Sequence, residues 1–171
     1  MAAASREFVP VWSPLLLRAT FACSFVFAIA ILGYGWTVTS PETTALALRL
    51  AGRSAAEAPA ALPRLLAHLR AVIAILVAGN VLGMSALRGS TWSYWVALLV
   101  NLTQGGVLSS LVPGQVHQAV LQRYGFAGLL PIVVTGGGAV LLAVALIARL
   151  FTVGGSTGSA AAVAGRKVRK D

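Results

Sequence analysis

Apolar residues in this chain gather into four long runs, at about 14–37, 65–87, 92–112 and 129–151, instead of alternating with polar ones as on a soluble helix or strand. Each run meets the requirement of about 20 mainly apolar residues for crossing a hydrocarbon core of about 30 Å. Lipid offers the backbone no hydrogen-bond partner, so such runs must satisfy their own N–H and C=O groups as helices. The pattern predicts an all-α fold, a transmembrane bundle of four helices. Ser13-Pro14 opens the first run with a capping serine and a proline whose missing N–H costs nothing at the first helical position, and Pro63 and Pro131 lead the second and fourth in the same way.

The connections differ in kind. Between the first two runs, Ser40-Pro41-Glu42 supplies a cap, a proline and a first-turn acid, and Gly52 a stop, which predicts a short interfacial helix from about 41 to 51. The stretch SAAEAPAALP then leads to the second run. Between the third and fourth, PGQVHQAVLQRYGFAG predicts another short amphipathic segment with Val116, Ala119 and Val120 on one side. Only Arg88 to Thr91 separate the second run from the third, so those two helices are expected to be antiparallel neighbours. Both long connections begin near a proline, Pro41 or Pro113, and end before a proline-led run, a hint of two helical hairpins.

Composition supports the bilayer. Of 171 residues, 58% are hydrophobic and 10% charged, and the mean hydropathy is +0.86, whereas a soluble domain has roughly a quarter charged residues. The net charge of +9 would suggest nucleic acid on a soluble chain. Here the charges lie between the runs and report topology instead. With four spans both termini share a side. That side carries Arg6, Arg18, Arg88, Arg149, Arg166, Lys167, Arg169 and Lys170, against Arg49, Arg53, Arg64, Arg70 and Arg123 on the other. The positive-inside rule then places both termini in the cytoplasm, in the cell membrane.

Residues 1–13 read as a cytoplasmic N-terminal segment, 14–151 as the transmembrane domain and 152–171 as a flexible basic cytoplasmic tail, Gly-, Ser- and Ala-rich before its closing charges. Trp12, Tyr34, Trp36, Trp92, Tyr94, Trp95 and Tyr124 fall at run ends, where the membrane interface favours them. Arg18 and Arg70 lie about a turn inside, within reach of headgroups by snorkelling. The first run is read as an anchor and not as a cleaved signal: Arg18 interrupts it, and its most apolar part follows Cys23. As the sole cysteine, Cys23 permits no disulfide within the chain.

Helices in lipid associate through close backbone approach and interhelical hydrogen bonds. Gly79 and Gly83 form a GxxxG pair; Ala97, Asn101, Gly105 and Ser109 follow at i, i+4 spacing; Thr135, Gly138, Ala139 and Ala143 share a face. Gly136, Gly137 and Gly138 weaken a helix by about 1 kcal/mol each relative to alanine. They are expected to admit a close helix crossing, with a broken, ligand-binding helix as the alternative. With the hairpin centred near Gly89 and Ser90, Asn80 falls opposite about residue 99, close to Asn101, and Gln104 lies near the Asn101 face. These three amides form a candidate polar patch, read as glue between helices or as a path for a small polar substrate. No Asp or Glu lies in any span, which removes the usual carrier for proton or sodium coupling.

No catalytic residue, cofactor site or metal site is expected. His68, His117, Glu42 and Glu57 share a predicted side but lack metal-ligand spacing, and no nucleophile elbow or phosphate loop is present. The basic turn with its following aromatics, Arg88-Gly89-Ser90-Thr91-Trp92-Ser93-Tyr94-Trp95, and the basic tail resemble the small four-pass integral membrane proteins of high-GC Gram-positive bacteria that carry no assigned activity. That resemblance implies no reaction. The leading expectation is a noncatalytic accessory or assembly subunit packing through small-residue helix faces; the alternative is a small transporter or lipid-binding protein using the amide patch. Expected partners are membrane lipids and another membrane protein or a second copy, and not nucleic acid.

Overall fold

A computed structural model describes residues 11–167, without the side chains of 107–109 and 153–167. Six α-helices follow in order: α1 Pro14–Val38, α2 Pro41–Leu50, α3 Ala58–Gly83, α4 Thr91–Leu111, α5 Gly114–Tyr124 and α6 Leu130–Lys167. Short 3-10 segments, Met84–Arg88 and Phe126–Gly128, precede α4 and α6. No strand occurs among the described residues. Three helices are long and apolar enough to cross a membrane, Pro14–Val38, Ala58–Arg88 and Leu130–Thr152, and α4 covers the remaining predicted run.

The local signals explain the boundaries. The hydroxyl of Ser13 accepts from the Leu16 N–H at 3.2 Å, that of Ser40 from Thr43 at 3.2 Å and that of Ser90 from Ser93 at 3.1 Å, so three helix starts satisfy an otherwise orphan donor. Gly89 takes φ 64° between the 3-10 segment and Ser90, a left-handed conformation that side chains disfavour, and this residue makes the tight turn between α3 and α4 possible.

Pro63 departs from expectation: it lies inside α3, which begins at Ala58 with Pro59 in its first turn. Ala58, Ala60, Ala61 and Leu62 are strong helix formers and carry the helix back into the stretch that leads to the second run. At the other end, helical backbone continues in α6 to Lys167, through most of the segment expected as a flexible tail, while the last four residues and residues 1–10 lie outside the described part.

α1 packs on α3 and α6, and α4 packs on the same two helices. The short helices meet each other: α2 lies against α5 and α3, burying Thr43, Thr44, Ala47 and Leu48. In α5 the buried residues are Val116, Ala119 and Val120, the side read from the sequence. Two apolar clusters result. One, around Ile31, Tyr34, Leu69, Val72, Leu76 and Val120, gathers at the α2 and α5 end; the other, around Trp12, Ala86, Tyr94, Ala97, Leu142 and Leu146, lies at the opposite end. Outward positions remain apolar, with Leu141 73%, Ile75 67% and Leu99 66% exposed.

A buried amide seam between two apolar clusters

Along α1, α3, α4 and α6, the buried polar residues other than Ser93 at the start of α4 fall between the two clusters. In α1 they are Thr20 and Ser24, in α3 Asn80, in α4 Asn101 and Gln104, and in α6 Thr135. Asn80, Asn101 and Gln104 are each 1% exposed. Burial without bonding would be costly for any of these amides, so the bonds they make decide what the patch is.

Asn80 Nδ2 donates to Gln104 Oε1 at 2.6 Å and to the Leu76 carbonyl at 2.8 Å. Gln104 Nε2 donates onward to the Thr135 carbonyl at 3.3 Å, so one chain of bonds ties α3 to α4 and α4 to α6. Asn101 stands apart from that chain. Its Nδ2 turns back to the Ala97 carbonyl at 2.8 Å, and its Oδ1 has no hydrogen-bond partner among the described residues. The hydroxyls of Thr20, Ser24 and Ser85 are likewise unpartnered there.

The expected meeting of Asn80 with Asn101 is therefore replaced by Asn80 with Gln104. The 3-10 segment Met84–Arg88 contributes part of the offset. It rises about 2.0 Å per residue instead of about 1.5 Å, which over its length adds about 2.5 Å to the α3 arm and moves the position facing Asn80 by nearly two residues along α4. Asn101 turns its amide back to its own helix, and Gln104, nearly one turn further along α4, takes the bond with its longer side chain.

The small residues divide in the same way. A methyl group on Gly83 would come within 2.5 Å of Ser24 Oγ, one on Gly105 within 2.7 Å of Val140, and one on Gly138 within 2.5 Å of the Phe27 ring. These three mark close helix crossings, and Ala97 is fully buried. Gly79 is less tight, with 3.4 Å to Val100. Gly136 and Gly137 face open space, so a neighbouring helix explains only one of the three consecutive glycines.

Several site residues escaped the sequence reading. Trp12 and Tyr94, expected at a membrane interface, are buried edge to face at 5.0 Å. Trp12 Nε1 donates to the Ser90 carbonyl at 2.9 Å, and the Tyr94 hydroxyl donates to the Leu146 carbonyl. Tyr34 is buried too, its hydroxyl 2.8 Å from His117 Nδ1. The spacing of Tyr94, Ala97, Asn101 and Gln104 already put Tyr94 on the face that α4 buries. Trp36, Trp92 and Trp95 are exposed.

His68 and His117 do not converge. His68 Nε2 donates to the Leu111 carbonyl at 2.8 Å, Glu42 pairs with Arg123 at 3.7 Å, and Glu57 accepts from the Ser54 N–H at 3.2 Å. No cluster of three or more His, Cys, Asp or Glu suited to a metal ion occurs among the described residues. Burial of the His117 imidazole lowers its pKa, because the charged form loses hydration.

Two clefts of about 230 Å³ flank Gly105. One is lined by Gln104, His117 and Gly136, the other by Asn101, Gly106 and Val140. A third space, between Tyr34, Leu76 and Thr135, is only about 10 Å³, too small for more than a single water. The chain matches no known family model, no curated protein and no solved structure.

Proposed function

We propose that the protein is a multi-pass integral membrane protein, a four-helix bundle with both termini in the cytoplasm, that serves as a noncatalytic accessory or assembly subunit in the cell membrane. At about 1.5 Å per residue α4 is about 31 Å long, matching a hydrocarbon core of about 30 Å, and this supports it as the fourth span. α2 and α5 then cap the bundle at the extracytoplasmic interface. The excess of basic residues beside the other ends of the spans supports this orientation.

The observation that carries the accessory reading is the Asn80 to Gln104 bond across α3 and α4. Asn80 Nδ2 and Gln104 Oε1 are committed to each other, and both side-chain nitrogens also bond helix carbonyls, as register-setting groups do. What the molecule offers outward is apolar surface for lipid, for another membrane protein or for a second copy. Affinity purification of the full chain in mild detergent tests the reading. A stoichiometric membrane partner is the expected outcome, and recovery of the protein alone under every mild condition contradicts it.

A second reading, a small transporter or lipid-binding protein, draws support from the cleft beside Gln104 and Gly136. Its surroundings fit an amphiphile better than a hydrated ion, because no acidic residue lies in any span.

A further inference from the structure

The cleft between α4, α5 and the start of α6 joins apolar walls to a small polar edge. Leu129, Ile132 and Val133 form the walls, Gly136 the floor, and His117 and Gln104 contribute the polar atoms. Gly136 has nothing within 4 Å of the place a methyl would occupy, unlike Gly138 against Phe27. The bareness of this helix surface thus serves no contact among the described residues and leaves the floor of the cleft open.

The proton on His117 follows from its partner. Tyr34 is 5% exposed, and His117 Nδ1, at 2.8 Å, is the only acceptor for its hydroxyl among the described residues. A buried phenol that failed to donate would carry the cost of an unsatisfied O–H. The hydroxyl therefore donates, Nδ1 is the bare nitrogen, and the neutral ring holds its proton on Nε2. That N–H bonds to nothing among the described residues. Gln104 Oε1 and one Nε2 N–H are engaged with Asn80 and Thr135, so among the described residues the cleft presents His117 Nε2–H and the second Gln104 N–H beside an apolar trough.

We infer that this cleft binds a membrane phospholipid, one acyl chain lying over Gly136 and its ester carbonyl accepting from His117 Nε2–H. The inference rests on the membrane-spanning reading above. A volume of about 230 Å³ falls below the roughly 300 to 1,000 Å³ of pockets that enclose whole drug-sized ligands, and it suits part of a chain whose remainder stays in the bilayer. Depth agrees as well: Gly136 lies about 9 Å along α6 from its first residue, so a chain on it begins near the carbonyl level of the bilayer.

The test uses the full chain in nanodiscs of dioleoylphosphatidylglycerol, extracted into detergent, with bound lipid counted by native mass spectrometry and titrated back after delipidation. Wild type and Gly33→Leu, a change at an open glycine on α1, should retain one phospholipid. Gly136→Leu should lose it, and His117→Phe should weaken it about three- to tenfold, the worth of one hydrogen bond. Thermal unfolding establishes that each variant is folded; should Gly136→Leu fail to fold, the His117→Phe titration decides. Unchanged retention in a folded Gly136→Leu or unchanged affinity in His117→Phe overturns the site, and displacement by decylubiquinone overturns the lipid in favour of a quinone. Wild type that stays in carbonate-washed membranes yet holds no phospholipid overturns the site alone, whereas release by carbonate overturns the membrane reading beneath it.

Discussion

Asn80 and Asn101 are the same residue type, equally buried, set between the same two apolar clusters, yet one has its amide joined across helices and the other does not. Asn80 meets Gln104 on α4, while Asn101 donates only to its own helix and leaves Oδ1 bare among the described residues. The difference lies in register and reach, not in composition. A buried amide contributes through the partner that geometry gives it, and without one it carries a desolvation cost that nothing offsets.

Breaking the joined side should have the largest effect. Gln104→Leu removes the bonds to α3 and α6 together and leaves Asn80 without its partner, so stability in detergent or bicelles should fall by about 1 to 3 kcal/mol. Asn80→Leu should fall in the lower half of that range. Unfolding monitored by circular dichroism or steric trapping reads both, and wild-type stability in Gln104→Leu would remove the seam from the account.

The glycines beside Thr135 sharpen the contrast within one helix. Gly138→Ala pushes a methyl into the Phe27 ring and should destabilise by about 1 to 3 kcal/mol, as overpacking does. Gly136→Ala meets open space and should stabilise by about 0.5 to 1 kcal/mol through helix propensity. Equal signs for the two variants would mean that the contact with Phe27 does not set the crossing.

On the bare side, Asn101→Leu should leave stability within about 0.5 kcal/mol of wild type or raise it, because the substitution deletes an unsatisfied acceptor along with one local bond. A loss as large as that of Asn80→Leu would show that Oδ1 has a partner after all.

The smallest effect concerns pH. Burial lowers the His117 pKa in the folded protein, so between that value and the unfolded value near 6.5 the unfolded chain binds more protons. Its contribution to stability is complete above about pH 6.5 and is lost as the pH falls toward the folded pKa. The melting temperature should drop between pH 7.5 and 5.5, and His117→Gln should flatten that part of the profile.

Much of the fold was legible because its signals are local. Ser40-Pro41-Glu42 marked α2, Val116, Ala119 and Val120 marked the inner face of α5, and Gly89 with Ser90 marked the turn into α4. The choice of Gln104 over Asn101 was not legible, since it hangs on Asn101 bonding back to the Ala97 carbonyl of its own helix while Gln104 reaches Asn80 from the next turn, which spacing alone does not distinguish. Pro63 misled because a proline can sit at a helix start or be carried inside a helix nucleated earlier by alanines. The three consecutive glycines read alike in sequence, and only the position of Phe27 separates Gly138 from its neighbours.

The Asn80 to Gln104 bond ties α3 to α4 and so fixes their register. A double-mutant cycle with Asn80→Leu, Gln104→Leu and the pair, unfolded in bicelles, measures that bond apart from the other contacts of either residue. The expected result is a coupling of about 0.6 to 1.7 kcal/mol, with a parallel Asn80→Leu and Asn101→Leu cycle additive to within about 0.5 kcal/mol. Additivity in the first cycle, or a larger coupling in the second, would contradict it.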